Sequence, residues 1–341
     1  MSSQSFASVV RVWLLALALA GLSAVNAQRM QPGSQTQLRF NGCKPATLTN
    51  MIIFGDSFSD TGNVLDLSNG TWPRSAFYPG GRFSNGPVWS DYVAKDRQLN
   101  MTNFAFGGAT TDSKVVQGYS GINADIPVPG FIQQIEDYYL GGGLLADTMT
   151  QESTLFVVNF QGNDFLFNTT MAPETVMVNV ERGIRRLIDI GARHMVVVEN
   201  FDIGMVPFFQ WNETLSRQNS ALAKRQHEKY QDLIQRLTQE YGRLPSKQGG
   251  RAFHSCLDNR GSDGALLRKV NIAFLDLFAL FNRLSSPRHL ERLGITDIVH
   301  GCVSDDGMVG CDDPESHFFY DSYHPSTKVH REVADGILSM L

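Results

Sequence analysis

No G-x-S-x-G elbow, no H-E-x-x-H pair and no G-x-x-x-x-G-K-[ST] loop occurs in the 341 residues. Their absence sets aside an ordinary α/β-hydrolase, a zincin and a P-loop nucleotide enzyme. There is no C-x-x-C either, so a cysteine-based zinc site has no framework. Lysine and arginine form no cluster, and the net charge is −5. A nucleic-acid partner would need a basic stripe and is therefore not expected. Long runs of like charge and low-complexity tracts are also missing. No apolar run reaches the about 20 residues that a membrane-spanning helix needs.

What is present begins with a short leader. Arg11 precedes an apolar run, Val12–Leu22, and then Ser23-Ala24-Val25-Asn26-Ala27. A basic residue, a short apolar core and a small-x-Ala ending describe a secretory signal peptide over residues 1–27. Its removal takes Arg11 away and the net charge from −5 to −6. An uncleaved signal anchor is the alternative, and the length of the run argues against it. Four cysteines remain, an even count that in a secreted chain suggests disulfides. Cys302 and Cys311 bracket a Gly/Asp-rich loop and form the expected local pair; Cys43 with Cys256 follows by elimination. Four sequons, at Asn69, Asn100, Asn168 and Asn212, fit the same extracellular reading.

Hydrophobic patterning predicts strands at Met51–Phe54, Asn103–Phe106, Leu155–Phe160, Met195–Val198 and Val270–Leu275. Helices are expected at Val88–Lys95, Phe131–Leu140, Glu174–Ile190, Leu215–Tyr241 and Ser326–Leu341. Strands alternating with helices argue an α/β fold: a parallel sheet covered on both faces. Gln28–Asn50 reads as a leader lying over the domain, and no linker points to a second module, so residues 28–341 are expected to form one domain. The stretch Leu67–Asn100 is a long connection rich in Gly, Pro, Asn and aromatics, of the kind that often carries function.

The first strand runs into Gly55-Asp56-Ser57. Open α/β sheets place reactive groups there, outside the carboxyl ends of their strands. A serine is inert near neutral pH without a base, an orienter for that base and donors for an oxyanion. Near the other end of the chain, Asp321 and His324 lie three apart, a spacing that can set carboxylate and imidazole side by side. Each residue alone has a plainer reading. Ser57 could cap a helix, Asp321 could cap the last helix, and Asn163 with Asp164 could simply build a turn. The conjunction favours chemistry, because Ser57, Gly108 and Asn163 all follow strand ends and would face one rim of a parallel sheet. Asp56 and Asp60 are explained by helix N-terminal placement. Trp72, Tyr78, Phe83 and Trp89 either line an acyl or sugar site or pack a loop. His317 and His330 are expected to be structural.

FGDSFSDTGN resembles the first block of the GDSL esterase/lipase family, also called SGNH hydrolases. NFAFGGATT (Asn103–Thr111) resembles the second block, QGNDF (Gln161–Phe165) the third and DSYHP (Asp321–Pro325) the last, in family order and across nearly the whole chain. Phe58 stands where the family name has Leu. The resemblance implies a three-layer α/β/α sandwich with a five-stranded parallel sheet, flavodoxin-like, in strand order 2-1-3-4-5. It implies Ser57 as nucleophile, His324 as base and Asp321 as its orienter. It also implies an oxyanion hole built from the Ser57 N–H, the Gly108 N–H and the Asn163 amide. Gly107 is the alternative second donor, and the position before Ala109-Thr110-Thr111 favours Gly108. No metal or organic cofactor is implied. GRFSNG (Gly81–Gly86) also resembles a segment common in plant and fungal branches, and no role is assigned to it.

Block spacing and NFAFGGAT look most like fungal or oomycete acetylesterases of carbohydrate esterase family 16, which favours a small ester or acetylated oligosaccharide as substrate. A lipase, phospholipase or lipid acyltransferase is the alternative within the family. No strongly amphipathic lid helix is evident between the blocks, which tilts toward short esters. A catalytically dead carbohydrate-binding protein would have lost a block, and all are intact.

Overall fold

A computed structural model of the chain describes residues 48–142, 151–160, 162–241 and 270–341. Nine strands occur among them: β1 (Asn50–Gly55), β2 (Asn100–Asn103), β3 (Gly118–Ser120), β4 (Ile126–Val128), β5 (Thr154–Asn159), β6 (His194–Val198), β7 (Asn271–Leu275), β8 (Asp297–Gly301) and β9 (His317–Phe319). The main helices are α1 (Trp89–Arg97), α2 (Pro173–Asp189), α3 (Glu213–Tyr241), α4 (Leu277–Leu284) and α5 (Thr327–Leu338).

The central sheet has the order β2-β1-β5-β6-β7. Every pairing in it is parallel. Counting only these five strands, this is the expected 2-1-3-4-5. The strands read as continuous apolar runs because both sheet faces are buried. Met51 and Ile53 of β1 join one core with Leu155, Val157, Val196, Val198, Ala273 and Leu275, which α1, α4 and α5 cover. Ile52 and Phe54 point the other way, into a core with Phe156, Val158, Met195, Val197, Ile272 and Phe274. There α2 contributes Val176, Val180, Ile184 and Leu187, and α3 contributes Tyr230, Leu233, Ile234 and Leu237. The three-layer α/β/α sandwich follows from this period-2 division of side chains.

Two expectations need correction. The second strand is Asn100–Asn103, not Asn103–Phe106. The chain stays hydrogen-bonded beyond it, with Phe104 N–H donating to Ile53 O (2.8 Å) and Phe106 N–H to Gly55 O (3.1 Å). Side chains interrupt the regular ladder on the outer edge. Asn63 Nδ2 donates to Asn103 O and Ala105 O, and Asn103 Oδ1 accepts from Ala105 N–H. The expected helix Phe131–Leu140 begins as α but continues as a π-helix from Gln134 to Leu140. At its start the Gln134 amide pairs with both backbone groups of Gly55, at 3.0 and 2.8 Å. That pairing fixes the end of β1 two residues before Ser57. The antiparallel pair β3–β4 and the small parallel pair β8–β9 add to the expected strands, and three- to five-residue strands carry little periodicity in sequence. Residues 1–47, with the signal segment and Cys43, lie outside the described residues, as do Cys256 and Gln161; Asn50, the expected end of the leader, is the first residue of β1.

Candidate active site

The turn after β1 is a single helical turn closed on Asp56 O, which accepts from Ser59 and Asp60 N–H at 3.0 Å each. It leaves Ser57 half-exposed at the rim. From the opposite end of the chain, the loop before α5 brings His324 to meet it. His324 Nε2 lies 2.7 Å from Ser57 Oγ, across 267 residues of sequence. His324 Nδ1 lies 2.9 and 2.8 Å from the two oxygens of Asp321. Ser57, His324 and Asp321 thus form one continuous hydrogen-bonded array.

Asp321 is buried, and four donors hold its carboxylate. Besides His324 Nδ1, these are the Tyr323 and His324 N–H groups at 2.8 Å each and the Tyr78 hydroxyl at 2.9 Å. Burial by itself would raise this carboxyl, but the imidazole and these hydrogen bonds outweigh it and hold Asp321 below the ordinary aspartate value. Tyr78 is pushed up, first by its own burial and then by the adjacent Asp321 charge, so its hydroxyl keeps its proton and remains a donor. Close behind Asp321 runs Gly301, the last residue of β8. A Cβ there would lie 2.5 Å from the Asp321 carbonyl carbon, so only glycine fits this approach.

Three groups converge beside Ser57. The N–H groups of Ser57 and Gly108 have no hydrogen-bond partner among the described residues. Gly107 N–H is already committed to Asp60 Oδ2 at 2.8 Å, which leaves Gly108 as the free donor of the pair. Gly108 has φ +85°, and a Cβ on it would run into Tyr119 O. Asn163 opens a short helix after β5, behind Gly162 at φ +91°. Its Nδ2 donates to Ala109 O at 2.9 Å and, more weakly, to Asp56 Oδ2 at 3.4 Å.

Buried carboxylates brace this loop. Asp60 accepts from the N–H groups of Gly62, Asn63, Val64 and Gly107, tying the turn of Ser57 to the turn of Gly108. Burial raises Asp60 to about 6 against the pull of those four donors. Asp164 accepts from the Thr111 N–H and hydroxyl, the latter at 2.6 Å. Helix N-terminal placement accounts for three of the Asp60 bonds, but the bond to Gly107 goes beyond it.

The segment Gly81–Gly86, given no role from sequence, supports the imidazole. The Phe83 ring lies 5.1 Å from that of His324. Ser84 Oγ donates to Pro325 O at 3.0 Å, and Asn85 Oδ1 accepts from Thr327 N–H at 2.8 Å, at the start of α5. Of the loop aromatics, Tyr78 and Phe83 therefore serve the triad loop. Trp89 is buried and donates from Nε1 to Ser59 Oγ. Trp72 lines a cleft of about 520 Å³ with Leu67, Asn69, Arg74, Asp125 and Ile126. His330 packs on Phe58, at 4.7 Å between rings, and His317 hydrogen-bonds within the Asp313–His317 turn. Cys302 and Cys311 are disulfide-bonded, as expected.

The GDSL-like Lipase/Acylhydrolase family profile matches residues 51–337. The chain is 26% identical over 309 residues to a thermolabile hemolysin of Vibrio parahaemolyticus, covering 86% of this chain but 64% of that one, less than two thirds of its length. It is 25% identical over 337 residues to a GDSL esterase/lipase of Arabidopsis thaliana, covering 85% of this chain and 86% of that one. A phosphatidylcholine-sterol acyltransferase of Aeromonas hydrophila is 30% identical over 168 residues, 48% of each chain. With a match across nearly the whole described fold, the chain belongs to the GDSL-like lipase/acylhydrolase family and is a serine-type hydrolase of ester bonds.

Proposed function

We propose that Ser57 attacks the carbonyl carbon of a carboxylic ester and carries the acyl group as a covalent intermediate. The observation that carries this reading is the Ser57–His324–Asp321 array, with 2.7 Å at its reacting end. His324 Nε2 takes the hydroxyl proton, and Asp321, charged and fixed by four donors, stabilises the imidazolium that forms. The tetrahedral oxyanion is received by the Ser57 N–H, the Gly108 N–H and the Asn163 amide. Of the two Asn163 hydrogen bonds, the 3.4 Å contact with Asp56 is the weaker, and a developing oxyanion displaces it. His324 then protonates the leaving alcohol and activates a water that releases the acid. Ser57→Ala is expected to abolish hydrolysis of a chromogenic acetate while leaving the thermal midpoint nearly unchanged; retained activity overturns the assignment.

The substrate reading is a short acyl group, acetate first, on a carbohydrate alcohol. The cleft lined by Trp72, whose ring lies 6.4 Å from that of Tyr78, supports it: Trp72 offers an aromatic face, and Asn69, Arg74 and Asp125 offer polar groups, a lining suited to a sugar. A lipid acyl ester is the second reading, favoured by the likeness to a phosphatidylcholine-sterol acyltransferase. Rates on acetate, butyrate, octanoate and palmitate esters separate the two. Secretion belongs to the same proposal, as one domain over residues 28–341 behind a leader. Its supports are the Cys302–Cys311 disulfide and the exposure of Asn69 and Asn100. No helix of the described residues is long and apolar enough to cross a membrane.

A further inference from the structure

Two strand ends away from Ser57, on the same rim of the sheet, lies a cluster that the ester chemistry does not use. In the β6–β7 register Val198 stands opposite Leu275, so the next residues, Glu199 and Asp276, emerge side by side. Over them α3 places His227, whose Nδ1 lies 3.0 and 2.9 Å from the Glu199 oxygens and 3.9 Å from Asp276 Oδ1. One donor atom from each of the three residues falls within 4.8 Å of the others. Glu199 has no exposed surface, and His227 and Asp276 are partly buried.

We propose that Glu199, His227 and Asp276 form a binding site for a single divalent ion of the zinc class. The donor set is one imidazole and two carboxylates, which suits zinc with a fourth position left for water. Calcium is a poor fit because it takes six to eight oxygen ligands and no imidazole. Metal–ligand bonds of about 2.0–2.2 Å put ligand atoms somewhat over 3 Å apart, so the His227 Nδ1 separations, 2.9 Å from Glu199 and 3.9 Å from Asp276, lie on either side of the spacing a shared ion needs.

An outer partner for the imidazole is also in place. His227 Nε2 lies 3.0 Å from the Gln231 amide, one helical turn on, and the ring stacks on Phe278 at 5.0 Å. Binding through Nδ1 moves the ring proton to Nε2, and a rotated Gln231 amide then accepts it through its oxygen. The ion would join the ends of β6 and β7 to α3; it has no part in the attack on the ester.

The test is titration of zinc chloride into the full-length, chelator-stripped protein by calorimetry, with thermal midpoints recorded alongside. One equivalent of zinc is expected to bind and raise the midpoint. Cobalt is expected to give the visible absorption of a four-coordinate site. Glu199→Gln and, at a less buried position, His227→Gln should each weaken binding at least tenfold. No binding by the wild-type chain, or binding left unchanged in a folded His227→Gln variant, overturns the proposal.

Discussion

The Tyr78 hydroxyl donates to Asp321 Oδ2 at 2.9 Å, joining residues 243 positions apart in the chain. Hydrogen bonds to charged groups contribute about 1.5–3 kcal/mol. Tyr78→Phe keeps the ring packing against Phe83 and Tyr320 and removes only this donor. Its kcat on a chromogenic ester is expected to fall by about ten- to a hundredfold with KM little changed. An unaltered kcat would mean that the other three donors suffice to hold Asp321.

Asn163→Ala removes the one oxyanion donor that a side-chain mutation can delete. The loss expected is about 10²–10³ in kcat, again with little effect on KM because the donor acts on the transition state. The fold is expected to survive, since among the described residues the amide makes two hydrogen bonds, to Ala109 O and Asp56. A kcat within a factor of three of wild type would place the third donor elsewhere.

Acidification should destabilise the protein through His330. This ring is fully buried, with Nδ1 accepting from Trp89 N–H, and burial together with the nearby His324 lowers it to about 3. The folded value is depressed below the ordinary 6.5, so the unfolded chain binds the proton first. Stability is therefore full above about pH 6.5 and declines as pH falls toward 3, by up to a few kcal/mol. His330→Gln retains an acceptor without a charge change. Denaturant midpoints measured between pH 7 and 4 should fall less steeply for this variant than for wild type.

Much of this site is readable from residue order, and the unread part has a common cause. The strand-ending glycines and the reactive residues behind them are local signals: Gly55-Asp56-Ser57 and Asp321 with His324 each announce a turn. The sandwich follows from apolar runs of strand length separated by the 3.6-period apolar faces of α2 and α3. The contributions of Tyr78, Phe83, Ser84 and Asn85 are different in kind. Each acts on a partner more than 240 residues away, and nothing in the neighbouring sequence separates a brace from ordinary loop packing. The GRFSNG stretch was visible as a motif, and only its partners give it a purpose. The edge of β2 is not legible in the sequence because Asn63 and Asn103 side chains, not a propensity, end the regular ladder there.

The 267-residue separation between Ser57 and His324 also has a consequence for biosynthesis. The serine emerges from the ribosome long before its base. Until His324 has been made, the nascent chain presents a hydroxyl without its base, so hydrolysis begins only once the segments at both ends of that separation have come together.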